Sequence, residues 1–85
     1  MLFHCQSKKN VNIDKIKISE EFKKYPPKLE KLVIKTAEYI NTGIVEPILL
    51  DEAYNLVDGY CSYLIIKALG IDKFKCVMIK TKKGR

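Results

Sequence analysis

Apolar and polar positions follow two different periods along this chain, and each change of period marks a boundary between elements. Residues 11–18 are rich in β-branched side chains and end in the alternating triplet Ile16-Lys17-Ile18. That pattern predicts a first strand, placed at a sheet edge where its lysines can face water. Ser19-Glu20-Glu21-Phe22 has the make-up of a short helical turn, and Tyr25-Pro26-Pro27 breaks it. From Lys28 the period lengthens. Leu29, Leu32, Val33, Ala37 and Ile40 recur at i, i+3 and i+4 spacings, with Lys28, Lys31, Lys35 and Glu38 elsewhere on the wheel. Gly43 then supplies the left-handed residue that commonly closes a helix. A helix over 28–42 follows, with its apolar stripe packed on a sheet.

The next apolar segments are short. Pro47-Ile48-Leu49-Leu50 and Tyr54-Asn55-Leu56-Val57 flank Asp51-Glu52-Ala53, which predicts a hairpin, with Pro47 tolerated at a strand's first position or on an edge. Asp58-Gly59 turns the chain into a second helix. Residues 60–69 are apolar around most of their circumference, so this helix is expected to be buried on several sides, and Gly70 stops it. Phe74 to Ile79 reads as a closing strand. The order is β-α-β-β-α-β, an α+β fold with a small mixed sheet. An 85-residue chain closes one hydrophobic core, so one domain is expected, with an ordered core at about 11–80 and polar tails at 1–10 and 81–85.

No apolar run approaches the roughly 18 residues of a membrane-spanning helix. The hydrophobic start at 1–5 is too short for a secretory signal, and Lys8 and Lys9 follow it instead of preceding it. A cytoplasmic protein without a membrane partner is the expectation. Sixteen basic residues against ten acidic ones leave a net charge of +6, and only Arg85 among the basic residues is not lysine. Such a charge attracts polyanions, and lysine binds phosphate as a point charge without arginine's planar fork. Three widely spaced cysteines and one histidine, His4, make no four-ligand zinc set. They fit free thiols in a reducing compartment and no bound metal. Cys76, inside the last strand, has the place of a small core residue.

The chemically informative stretch is Leu56-Val57-Asp58-Gly59-Tyr60-Cys61-Ser62-Tyr63, a strand, a glycine turn and a helix start. Glycine permits a sharp corner and a close approach to the main chain. The first N–H groups of the helix beyond it are unpaired and favour anions. Ser62 would add a hydroxyl to such a cradle and Lys67 a charge one turn on. Glu46 is placed to reach the same end of the sheet as Asp58, while Asp58 also suits the role of a turn or helix-start residue. Tyr60 and Tyr63 are expected to be half-buried. Cys61 has the helix-start position that lowers a thiol pKa, although a buried, inert thiol is the commoner case.

Three runs together resemble the N-terminal domain of the ParB family, whose fold is shared with sulfiredoxin. They are Gly43-x-x-x-Pro47-Ile48-Leu49-Leu50, Leu56-Val57-Asp58-Gly59, and Tyr63-Leu64-x-x-Lys67-Ala68-Leu69-Gly70. The resemblance spans residues 11 to 80 and implies a nucleotide- or DNA-associated binding domain of the kind found with plasmid, phage or chromosome partition. The candidate ligand site read from these residues is Glu46, Asp58, Gly59, Tyr60, Cys61, Ser62, Tyr63 and Lys67, with a nucleotide or phosphate as ligand and a homodimer or a larger protein as partner. The departures are specific. Where ParB-like proteins carry His-His-Arg after the glycine, and use the arginine-bearing turn on nucleotide phosphates, this chain has Tyr60, Cys61 and Ser62. The sulfiredoxin nucleophile, a cysteine directly after the glycine, is replaced by Tyr60, and Cys61 lies one position, about 100° of helix, away. A binding domain that has lost the arginine chemistry is therefore the leading expectation. A thiol-dependent redox or nucleotide-hydrolysing enzyme using Cys61, and a protein-interaction domain using a sheet edge or tyrosine-lined cleft, are the alternatives.

Overall fold

The computed structural model describes residues 3–81. Two long strands, β1 (Phe3–Asn12) and β4 (Lys73–Thr81), pair antiparallel, with Lys9 opposite Cys76 and Val11 opposite Phe74. β4 then runs parallel to the two-residue β2 (Leu49–Leu50), which pairs antiparallel with β3 (Leu56–Asp58). The sheet order is β1-β4-β2-β3. Helices α1 (Glu20–Lys24) and α2 (Leu29–Thr42) precede the β2–β3 hairpin, and α3 (Tyr60–Ala68) links β3 to β4. This is the α+β order expected from the chain.

The first strand is displaced from its expected place. It ends at Asn12, whose side-chain oxygen accepts the Asp14 N–H at 3.0 Å and starts a 3-10 turn over Ile13–Lys15. An Asx-type bond of this kind competes with strand pairing. Ile16-Lys17-Ile18 keeps its alternation, with Ile16 buried and Lys17 exposed, but it makes only one parallel rung, between Lys17 and Asn55. Residues 3–10, read as a polar tail, instead form most of β1. Their Ser-Lys-Lys-Asn run is exposed throughout, so no alternation betrays a strand that only its pairing with β4 creates. At the other end Thr81 closes β4, and the expected tail at 82–85 lies outside the described residues.

Helix α2 has the expected limits, and Gly43, at φ 74°, donates its N–H to the Tyr39 carbonyl at 2.7 Å. Its orientation is a correction. No residue of α2 is buried. Leu29, Val33 and Ile40 are 75%, 59% and 66% exposed, while Leu32, Lys35, Thr36 and Tyr39 face inward and are half-buried. Tyr39 meets Phe74 of β4 edge-on at 6.5 Å, so an aromatic contact and not the aliphatic stripe sets the rotation of the helix.

Helix α3 is the reverse case. Cys61, Ser62, Tyr63, Ile65 and Ile66 are all buried. Gly70, at φ 77°, and Ile71 donate to the carbonyls of Lys67 and Ile66, the paired closure typical of a glycine-terminated helix. The hairpin turn is organised by Asp51, whose carboxylate accepts from the N–H groups of Ala53 and Asn55 at 2.8 and 2.9 Å and from the Asn55 amide at 3.1 Å. The core gathers around Ile48, Leu50, Ile66 and Cys76, each fully buried.

Candidate functional site

The corner between β3 and α3 is built by close backbone contact. Gly59 has φ 94°, a left-handed conformation, and a Cβ there would lie 2.5 Å from the Pro47 carbonyl oxygen and 2.9 Å from the Ile48 Cα. Only glycine fits. One turn into α3, the Ser62 hydroxyl donates to the Glu46 carbonyl at 2.7 Å, with the side chain 1% exposed. Gly59 and Ser62 together press the first turn of α3 onto residues 46–48. Ser62 is therefore not a ligand donor as the sequence suggested, because its proton is committed to the backbone.

What the corner leaves open is the helix start. No side chain caps α3 at Gly59. The N–H groups of Tyr60, Cys61 and Ser62 have no intrahelical acceptor, and the helix dipole places partial positive charge there. Asp58 folds back to accept the N–H of Gly59 at 2.9 Å, which is the turn role its position suggested.

A cleft of about 250 Å³ opens at this end, lined by Asp58, Gly59, Tyr60, Cys61 and Glu46 on one side and by Phe22, Tyr25, Pro27 and Lys31 on the other. The second group is absent from the sequence-based site. It arrives because α1, capped by the Ser19 hydroxyl on the Phe22 N–H at 3.4 Å, sets Phe22 5.3 Å from the Tyr60 ring. The only hint in the chain was the Tyr25-Pro26-Pro27 break. A second cleft, of about 310 Å³, adjoins it between α2 and α3 and shares Glu46 and Cys61. Lys35 lies there, 3.9 Å from Glu46 and 3.8 Å from Glu38, and offsets the Glu46 charge.

Of the expected site residues, Glu46, Asp58, Gly59, Tyr60 and Cys61 thus share one cleft. Tyr63 belongs to the core, stacked on Tyr60 at 6.2 Å. Lys67 sits over the Tyr63 ring at 5.8 Å instead of reaching the helix start. Cys61 is buried, and the Cys76 thiol is pushed up to about 11 by its burial, so it stays protonated and inert. Among the described residues no group of three or more histidine, cysteine and acidic side chains gathers to hold a metal, and no helix is long and apolar enough to cross a membrane.

No protein-family model matches the chain, and no curated protein matches it. Solved structures do. A pNOB8-like ParB N-domain superposes with a TM-score of 0.75 over 92% of this chain at 26% identity. Sulfiredoxin from Arabidopsis thaliana gives 0.73 over 92% at 18% identity. A C-terminally truncated ParB from Caulobacter crescentus, complexed with CTP-gamma-S, gives 0.67 over 92% at 13% identity. The chain spans 31% of the first of these, 86% of the second and 46% of the third.

Proposed function

On the ParB/sulfiredoxin-like fold that this chain has, we propose a binding module for a nucleoside triphosphate, held at the start of α3 and not hydrolysed. The observation that carries the reading is the uncapped start of α3, opening onto a cleft with a lysine and aromatic side chains. The N–H groups of residues 60–62 suit phosphate oxygens, Lys31 supplies positive charge, and Phe22, Tyr25 and Tyr60 offer planar surfaces for a base. The CTP-gamma-S complex of the Caulobacter protein, which shares this fold, supports that ligand class. Arg85 is the sole arginine of the chain, so no guanidinium stands in the helix turn to bind phosphate with two charge-assisted bonds of about 1.5–3 kcal/mol each. Weak binding, near 1 mM or about −4 kcal/mol, is the consequence. Tyr60 stands where a sulfiredoxin-type nucleophile would stand, so sulfinic-acid reduction is not part of the reading.

Amide chemical shifts followed during titration with CTP test it. Changes should concentrate at residues 58–62 and Lys31, Lys31→Glu should weaken binding several-fold, and no phosphate should be released over hours. Shifts clustered away from this cleft would overturn the site. Turnover abolished by Cys61→Ser would overturn the absence of chemistry.

A further inference from the structure

The fold leaves the outer face of α2 in water, although that face is patterned for burial. At about 100° per residue, Leu29, Val33, Ala37 and Ile40 fall within about 80° of arc, and all four are exposed. No charged residue of the helix falls inside that arc. Ile44, just beyond the Gly43 closure, is exposed as well. The stripe runs roughly 17 Å from Leu29 to Ile40 at helical rise, beside the half-buried Leu32, Thr36 and Tyr39 that hold α2 on the domain. A contiguous aliphatic surface of this kind marks an interaction site, where scattered apolar residues would not.

The order of side-chain sizes along the stripe selects its occupant. Leu29, Val33, Ala37, Ile40 and Ile44 read large, large, small, large, large, and the reverse order is the same. We propose that a second copy of this chain covers the stripe, with the two α2 helices packed antiparallel about a two-fold axis midway between Val33 and Ile40. Such an axis sets Val33 of one copy against Ile40 of the other and Leu29 against Ile44, the self-complementarity that a closed two-fold interface requires. At the axis lie Ala37 and, at the edge of the stripe, Thr36. Small side chains there let the helices approach to about 8 Å, the lower end of packing distances. The Thr36 hydroxyl already donates to the Leu32 carbonyl at 2.6 Å, so it brings no unpaired donor into the contact. Charge points the same way. The chain carries +6, but α2 holds Glu30, Lys31, Lys35 and Glu38 and is neutral, so two basic domains repel least when they meet there. The antiparallel arrangement also keeps the two Glu30 side chains at opposite ends. A lipid surface suits the stripe less well, because an interfacial helix is bordered by lysine or arginine, whereas Glu30, Ile34 and Asn41 border this one on its outer side. The large side chains expose on the order of 100 Å² each, which with the flanking polar atoms puts the two-copy interface near 1,000 Å², at the low end for specific association. The dimer is therefore weak, and a dilute chain is a monomer with its stripe in water. Lys31 lies on the opposite side of α2, so the nucleotide cleft stays open in the dimer and the two readings are independent.

Sedimentation equilibrium of the full chain, from about 10 µM to about 1 mM, tests the proposal. A monomer–dimer equilibrium with Kd on the order of 0.1 mM is expected for so small an interface. Added salt should tighten it by screening the repulsion between the two +6 chains. Val33 and Ile34 are equally exposed, at 59%, but about 100° apart on the helix. Val33→Glu should therefore weaken the dimer at least about tenfold, since it buries an unpaired charge, while Ile34→Glu should change it less than about threefold. Both positions face water in the monomer, so both variants keep the parent's circular dichroism. Oxidation with diamide reads the geometry. Ala37→Cys, beside the axis, should form a disulfide-linked dimer well above the parent level, whereas Leu29→Cys should not, because the two copies of residue 29 stand roughly 22 Å apart along the helices. A chain that stays monomeric at the highest concentration would overturn the proposal, as would equal losses from Val33→Glu and Ile34→Glu. Crosslinking through residue 29 as fast as through residue 37 would overturn the antiparallel two-fold. Shifts of the α2 amides on adding phosphatidylcholine vesicles to a dilute, monomeric sample would give the stripe to lipid and overturn it too. Unchanged CTP-induced shifts at residues 58–62 in Val33→Glu are expected, so the cleft and the dimer succeed or fail separately.

Discussion

The two longer helices of this domain invert the usual relation between pattern and burial. α2 has fourteen residues with a clear apolar stripe, yet none of them is buried; α3 has nine residues with apolar side chains nearly all round, and five are buried. The difference lies in how each is tied to the sheet. α3 is pinned at its start by Gly59 and Ser62 against residues 46–48 and continues through a glycine closure toward β4, so the sheet covers it along its length. α2 follows the exposed Pro26 and touches the sheet through Tyr39, which leaves Leu29, Val33, Ile34 and Ile40 in water. An amphipathic stripe shows that a helix can bury a face, but attachment at its ends decides which face is buried and how deeply.

The largest effect expected from this contrast is in the interiors of the two helices. Ile66→Ala, at a fully buried position of α3, should destabilise by about 2–5 kcal/mol. Ile40→Ala, at an exposed position of α2, should stay within roughly 0.5 kcal/mol. Chemical denaturation read by circular dichroism measures both. Equal losses would mean that the α2 stripe is covered in solution and would break the comparison.

A smaller difference separates two of the glycines at the helix ends. Gly59 and Gly43 both have positive φ, but a Cβ meets nothing within 4 Å at Gly43 and strikes the Pro47 backbone at Gly59. Gly43→Ala should carry only the left-handed penalty of about 1–2 kcal/mol. Gly59→Ala should add a clash of about 1–3 kcal/mol and weaken CTP binding, because the helix start must shift. Thermal melting of the pair, with CTP titration of each, sharpens how much of the site is set by backbone packing.

The smallest effect concerns the hairpin turn, which carries no helix. Burial tends to raise the Asp51 carboxyl pKa, but hydrogen bonds from Asn55 and Ala53 and the charge of Lys17 outweigh it and hold it below its ordinary value. A depressed folded pKa means stability that is fully present above the unfolded pKa, near 3.9, and lost as pH falls through the lower folded value. Asp51→Ala should lower stability at neutral pH and flatten the stability profile on the acid side of pH 4. An unchanged profile in the variant would show that the turn bonds are not the cause.

Much of this domain was legible in its residues because the relevant signals are local. Turn chemistry and period are carried by a few adjacent side chains. Hence Gly43 marked the end of α2, Gly59 marked a corner that tolerates only glycine, and the order of elements followed. Asp58 was likewise readable as a turn residue, since its bond goes to the next N–H in the chain.

The remaining features depend on partners distant in sequence. β1 is a strand because β4 lies beside it; the exposed Ser7-Lys8-Lys9-Asn10 run has no period of its own to announce it. Lys31, Phe22 and Tyr25 reach the cleft through the contact of Phe22 with Tyr60, and Ser62 is turned inward by a carbonyl sixteen residues earlier. The antiparallel register of β1 and β4 alone puts Lys8 on the same sheet face as Lys73 and Lys75. The sequence by itself therefore determined which segments form helices and turns and where glycine is obligatory, since those depend on neighbouring backbone geometry. The tertiary structure alone decided which helix face is covered, which hydroxyl is consumed and which charges stand together, because each of these is settled by the packing of segments far apart in the chain.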